Sequence, residues 1–367
     1  MDALWLPTLS LLVGSLLMVC LNRTGAQVGV CYGMKGNNLP SPKAVVDLYK
    51  SQNITRMRLY NPNQAMLEAL KDSNIEVMMD VPISALQKLA RDNITAIYWI
   101  NDNVMNYWPS VKFRYIAVGN EVSPNSSNAQ FVLPAMQYIY KNIMISGLQD
   151  QIKVSTVIST QLLGTSYPPS EGAFRDDVRS FIDPIVLFLV QKESPLLANV
   201  YPYFSYSADQ GIGDTNLAYA LFTSQSVVVQ DGNLEYQNLF DSMVDTLYSA
   251  LGMVVEIVVS ETGWPSAGGI GATTENAKIY NSNLIQHVNG GTPKRPGKTI
   301  ETYVFSMFDE NQKNNTESEQ HWGLFLPNKQ SKYPISFGSV PINSPPSQSN
   351  NMYCFDNYIT IHLPTLL

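Results

Sequence analysis

Runs of apolar, β-branched and aromatic residues alternate along this chain with segments whose apolar positions recur at helical spacing. The runs are Val28–Gly33, Ile54–Tyr60, Ile75–Pro82, Phe113–Val122, Ile152–Ser159, Leu196–Tyr206, Val254–Trp264 and Thr302–Asn311. The helical segments between them are Lys43–Lys50, Asn63–Lys71, Ile97–Tyr107, Leu133–Ser146, Asp176–Gln191, Leu239–Leu251 and Glu275–His287. Runs this continuously apolar predict strands buried on both faces, as in a parallel sheet covered by helices. Eight strands in strict alternation with helices predict a closed (β/α)8 TIM barrel, an α/β fold, as a single domain over residues 27–340. A doubly wound open sheet shows the same alternation but expects a glycine-rich phosphate turn after its first strand. The turn that begins Cys31-Tyr32-Gly33-Met34-Lys35-Gly36 lacks that spacing.

In such a barrel the chemistry belongs at the C-terminal strand ends. Those positions hold Tyr32, Tyr60, Asp80, Glu121, Tyr201, Tyr203, Glu261, Asp309 and Glu310. Rings and carboxyl groups dominate, which suits a cleft that stacks sugar rings. Glu121 closes its run behind Asn120, and Glu261 closes its run behind Ser260. One strand-end acid reads equally well as a structural ion pair or a loop cap. Two of them after strands this apolar shift the balance, because a lone buried carboxylate is costly unless it is used or paired. A pair of carboxyl groups at one pocket is what glycosidic hydrolysis needs: one protonates the leaving oxygen, the other attacks or directs water. Beyond the eighth run, Glu310, Lys313 and Glu319 form a charged stretch that, on its own pattern, is a solvated loop with an i,i+3 pair.

Composition narrows the partner. Of 367 residues only 14% are charged and 10% are aromatic, 20 of them Tyr, the profile of a compact globular chain. A net charge of −7 argues against nucleic acid, whose phosphates require a basic footprint, and favours a neutral substrate such as a polysaccharide. His287, His321 and His362 are scattered and the three cysteines show no paired spacing, so neither a metal nor a cofactor is expected. No Gly-x-Ser-x-Gly elbow is present.

The N-terminus predicts a secretory route. Leu9–Cys20 has the length of a signal core, and a small-residue segment ends at Gly25-Ala26, although the usual positive flank is missing. Cleavage before Gln27 removes Cys20 and leaves Cys31 as a buried thiol, with Cys354 in an irregular tail over 341–367. The signal core is too short to span a bilayer comfortably, and the apolar end Tyr358–Leu367 is a weak lipid-anchor signal. No stable membrane anchor is expected, and the expected state is a monomer outside the cell or in the vacuole. Glycosylation sequons stand at Asn53, Asn93, Asn125 and Asn314.

Several ordered stretches resemble the plant β-1,3-glucan endohydrolases of glycoside hydrolase family 17. They are Gly-Val-Cys-Tyr-Gly at 29–33, Met-Arg-Leu-Tyr-Asn-Pro at 57–62, Tyr-Ile-Ala-Val-Gly-Asn-Glu-Val at 115–122, Asn-Val-Tyr-Pro-Tyr-Phe at 199–204, Val-Ser-Glu-Thr-Gly-Trp-Pro-Ser at 259–266, Met-Phe-Asp-Glu-Asn-Gln-Lys at 307–313 and Trp-Gly-Leu-Phe at 322–325. The resemblance implies a retaining barrel hydrolase with Glu121 as acid/base and Glu261 as nucleophile. It implies Asn120 at the sugar 2-hydroxyl, with Glu310, Lys313 and Glu319 as a supporting charged cluster. Tyr32, Tyr60, Tyr201 and Phe204 then line the groove, and Phe308 joins them by strand position. Retention implies carboxyl groups about 5–5.5 Å apart, and the charge of Glu261 is expected to raise the pKa of Glu121. The chain departs from the family in a shorter link at 249–255 and a trimmed loop at 123–130. These departures keep open a glucan-binding protein without turnover, beside a transglycosylase or a 1,3;1,4-glucanase. Defence against fungal walls and remodelling of the cell's own callose both suit such an enzyme.

Overall fold

The computed structural model describes residues 28–209, 216–314 and 316–338. The expected signal segment at 1–26 and the tail at 341–367 lie outside the described residues. Among the described residues, eight parallel strands close into a barrel: β1 Gly29–Tyr32, β2 Arg56–Leu59, β3 Glu76–Val81, β4 Lys112–Asn120, β5 Lys153–Ser159, β6 Leu196–Asn199, β7 Ile257–Thr262 and β8 Thr302–Val304. Each lies within, or nearly within, one of the apolar runs. Sequence neighbours are barrel neighbours, and β8 closes onto β1 through Val30↔Val304.

The helices form where local chemistry starts them. Ser41 accepts from the backbone N–H of Ala44 and Pro42 takes the first turn of helix Pro42–Ser51, which buries Val45, Val46, Leu48 and Tyr49 against the barrel. Asn238 caps Leu239–Ala250 and Thr273 caps Thr274–His287 in the same way. Asp92 caps Asn93–Ile100, which runs on into a π-helical turn over Asn101–Met105.

Several elements depart from the expected pattern, among them the run Thr302–Asn311, which pairs in the barrel only over Thr302–Val304. The run Leu196–Tyr206 stops being a strand at Asn199, because Pro202 has no N–H for a ladder and its fixed φ starts helix Pro202–Ala208 instead. Helix Ile83–Arg91, which buries Leu86 and Leu89, had no counterpart among the expected segments. The link at 249–255 turns through two successive left-handed residues, Gly252 and Met253, and β7 still starts in register with β6 at Ile257↔Leu196.

Both strands that carry the glutamates are bulged near their C-terminal ends. Between Ala117 and Asn120, β4 spends three steps against two on β5, where Ser155 and Val157 are the partners. Between Val259 and Glu261, β7 spends two steps against one on β6, from Ala198 to Asn199. A bulge turns the side chains beyond it relative to the regular pleat.

Candidate active site

Glu121 and Glu261 line one cavity of about 680 Å³, together with Asn120 and Asn199. Glu121 follows the β4 bulge with φ of +50°, a conformation that costs a residue with a Cβ about 1–2 kcal/mol. Its backbone N–H is held by the carbonyl of Val157 at 3.0 Å. Glu261 is 7% exposed, inside the barrel wall.

The two carboxyl groups have different partners. Glu261 receives Arg58 Nη1 at 2.9 Å and Tyr60 hydroxyl at 2.7 Å on Oε1, and Tyr201 hydroxyl at 2.7 Å on Oε2. Arg58 can only donate, and the two tyrosine hydroxyls occupy both oxygens alongside it. Among the described residues Glu121 has one side-chain hydrogen-bond partner, the amide of Asn199 at 3.0 Å. Glu121 is an exposed residue that lines the cavity, with protein around it removing part of its water. This desolvation first, and the charge of Glu261 second, raise its pKa above the ordinary glutamate value. The expected direction holds, while the larger cause is the surrounding protein rather than the second carboxylate.

Arg58 is the residue whose role the sequence pattern missed. It is fully buried and reaches Asp80 through Nε and Nη2 at 3.2 and 2.7 Å, Asn120 Oδ1 at 3.0 Å, Asn199 Oδ1 at 3.2 Å and the carbonyl of Ser260 at 3.2 Å, besides Glu261. A guanidinium presents its donors in a rigid planar fork, so one side chain fixes the strand ends of β3, β4, β6 and β7 relative to each other. Burial pushes the pKa of Asp80 up to about 6 despite that partner. A second arginine two residues after Arg56, inside a four-residue strand with buried neighbours, was the signal available in the sequence. Asn199 was equally legible as a polar residue ending an apolar strand.

The charged stretch after β8 is no solvated loop. Glu310 is 5% exposed and accepts from the backbone N–H of Lys35 at 3.0 Å, while Lys313 pairs with Glu310 at 3.0 Å and with Glu319 at 3.4 Å. Room for Glu310 comes from Gly33, where a Cβ would stand 2.2 Å from the carboxyl carbon. All three charged residues line the cavity.

Of the expected aromatic residues, Tyr60, Tyr201 and Phe204 line the cavity. Tyr32 and Phe308 do not: they are 4% and 0% exposed and pack edge to face on each other with centroids 6.2 Å apart. Their rings fill the core, so neither offers a face to a ligand. Phe305 and Trp322, which were not expected, take their place in the lining. Trp322 packs against Tyr201, Tyr203, Phe204 and Phe305, which stiffens this wall. Asp80 and Asp309, also at strand ends, are held by Arg58 and by Lys332 at 2.7 and 2.8 Å. A second cavity of about 780 Å³ shares Thr160, Ser205 and Met243 with the first, so the cleft is elongated.

A parallel eight-stranded barrel with unlike carboxyl groups at the ends of its fourth and seventh strands, in a cleft walled by aromatic rings, defines a barrel glycosidase. The sequence profile of the glycosyl hydrolases family 17 matches residues 28–337, and the chain belongs to that family. A glucan endo-1,3-beta-glucosidase (basic isoform) of Phaseolus vulgaris is 57% identical over 320 residues, spanning 85% of this chain and 91% of that protein. The glucan endo-1,3-beta-glucosidase of Vitis vinifera is 56% identical over 334 residues, 89% of this chain and 96% of that one. A basic vacuolar isoform from Nicotiana tabacum is 55% identical, covering 86% of each chain. Among solved structures, CJP38, a beta-1,3-glucanase and allergen of Cryptomeria japonica pollen, superposes with a TM-score of 0.81 at 48% identity, over 85% of this chain and 99% of that one.

Proposed function

We propose that this family 17 hydrolase is an endo-1,3-β-glucanase that cuts internal bonds of a neutral β-glucan with retention. The observation that carries the reading is the unlike setting of the two glutamates, three donors on Glu261 against one neutral amide and a raised pKa on Glu121. Relatives at 55–57% identity bear the same activity in their names. In the first step Glu261 attacks the anomeric carbon and Glu121 gives its proton to the departing glycosidic oxygen. In the second, Glu121, now a base, takes a proton from water that displaces Glu261 from the sugar. The single amide on Glu121 suits a group that must exist in both protonation states. The elongated cleft accepts a chain on both sides of the cut bond, which is the requirement for internal cleavage.

In this reading Asn120 meets the sugar 2-hydroxyl and the exposed ring of Phe204 stacks on a sugar, backed by the buried Trp322. The protein acts as a monomer delivered by the secretory route. No helix among the described residues is long and apolar enough to cross a membrane. The net charge of −7 sets the chain apart from the relatives whose names call them basic.

Removal of each glutamate, followed by azide rescue, tests the roles. Glu261→Ala with azide should yield the α-glycosyl azide, and Glu121→Ala the β-glycosyl azide from a substrate with a good leaving group. Exchanged products would reverse the two roles. Glu121→Gln and Glu261→Gln should each nearly abolish laminarin hydrolysis; substantial turnover in either would overturn the assignment.

A further inference from the structure

Outside the cleft, two helices packed side by side on the outer wall expose an apolar seam. Helix Asn93–Ile100 contributes Ile94 and Tyr98, 63% and 64% exposed, with Ile97 beside them. The C-terminal end of helix Ala129–Ile145 contributes Met144 and Ile145, the latter 67% exposed. Single exposed apolar side chains are ordinary, but five of them on two helices in contact mark a surface that something covers.

The covering group has an anchor in the seam itself. Asn93 is followed by Ile94 and Thr95, a glycosylation sequon at the first residue of its helix. Its amide orientation is fixed by chemistry. The buried Asn142 donates from Nδ2 to the carbonyl of Tyr138 at 2.8 Å, an atom that can only accept, and from the same Nδ2 to Asn93 Oδ1 at 3.0 Å. Asn93 therefore holds the neighbouring helix through Oδ1 and leaves Nδ2, the atom that carries an N-glycan, without that duty. Glycosylation keeps Oδ1 an acceptor, so the interhelical bond survives it.

We infer that Asn93 carries an N-linked glycan whose first sugars lie over the Ile94, Ile97, Tyr98 and Ile145 surface. The inference rests on the secretory route proposed above. In the linking step a bond forms between Nδ2 and the anomeric carbon of an oligosaccharide borne on a lipid pyrophosphate. The anomeric carbon–oxygen bond to the carrier breaks, the pyrophosphate leaves with the bonding pair, and the amide loses one proton. The C–H faces of the core sugars then pack on the tyrosine ring and the aliphatic side chains, as sugars do on aromatic surfaces.

The test is peptide mapping by mass spectrometry of the full-length protein purified from plant-cell culture, medium and cells together. A glycopeptide containing Asn93 is expected. An Asn93 peptide found only unmodified overturns the inference. Glycans at Asn53, Asn125 or Asn314 on that same protein would show that the route stands and that placement at Asn93 alone has failed. Removing the whole glycan from the folded protein with a peptide N-glycosidase should then raise binding of an apolar dye at least twofold and promote self-association, with laminarin hydrolysis unchanged. Asn93→Gln, which removes the anchor before folding, should match the deglycosylated protein. Unaltered dye binding and association in both would refute the covering role.

Discussion

Asn199 joins the two carboxyl groups: its Nδ2 donates to Glu121 at 3.0 Å while its Oδ1 accepts from Arg58 Nη1 at 3.2 Å, the same nitrogen that holds Glu261 at 2.9 Å. Arg58 can only donate, and Ser260 Oγ also donates to that Oδ1 at 2.9 Å, so the amide cannot turn around. The donor aimed at Glu121 is therefore fixed by the residues that hold Glu261.

This bond favours the ionised form of Glu121, and its loss has a signed consequence. With Glu121 in its proposed role as proton donor, activity should fall at high pH as that proton is lost. Asn199→Ala should raise the Glu121 pKa further and move the alkaline limb of the kcat/KM profile upward, with kcat/KM about 10- to 100-fold lower, as for other bonds to charged groups. A pH profile on laminarin checks this. A limb that stays in place would reduce Asn199 to a packing role.

Arg58 offers a test of stability as well as rate. Arg58→Ala leaves Asp80 and Glu261 buried without their cation, which should cost about 3–5 kcal/mol in denaturant unfolding and at least a hundredfold in kcat. Arg58→Lys keeps the charge but not the fork, and should recover part of the stability with little of the activity.

Phe204 is 43% exposed at the edge of the cavity and packs on Tyr201 and Trp322. Phe204→Ala should raise KM for laminarin about 2- to 10-fold, the value of one stacking contact, with kcat nearly unchanged. A fall in kcat at constant KM would contradict a stacking role.

Asp245 lies outside the cavity lining, in helix Leu239–Ala250, fully buried and accepting from Tyr236 hydroxyl at 3.0 Å and Lys294 N–H at 2.9 Å. Burial raises its pKa from 3.8 to about 6. The folded state then binds a proton more tightly than the unfolded chain, so this residue's contribution is most favourable below about 4 and weakens as pH rises to about 6. In melting curves across that window, Asp245→Asn should lose this part of the pH dependence. Parallel curves for the two proteins would contradict it.

The barrel was legible because its strands are continuously apolar, a pattern that survives without tertiary information. What escaped was set by contacts between distant segments. Arg58 reads locally as one polar position in Arg-Met-Arg-Leu, and only the assembled barrel shows five partners around it. Phe308 and Tyr32 turn into the core against each other. Phe308 stands beyond the end of β8 at Val304, where strand position no longer fixes which way a ring faces, and Tyr32 is the last residue of β1. The Glu310–Lys313 pair was visible as spacing, but its burial depends on the absent side chain of Gly33.

The bulges in β4 and β7 make the catalytic arrangement a matter of counting. Beyond each irregularity a residue's facing depends on how many residues precede it, and removing one inverts inside and outside for those that follow. Deleting Gly119 or Ser260 would leave hydrophobic composition and strand propensity almost untouched while carrying a glutamate toward the helical shell. The glutamates' setting thus hangs on a single codon: a lineage losing that residue would keep the strand's apolar composition and forfeit both the glutamate's place in the cavity and its partners.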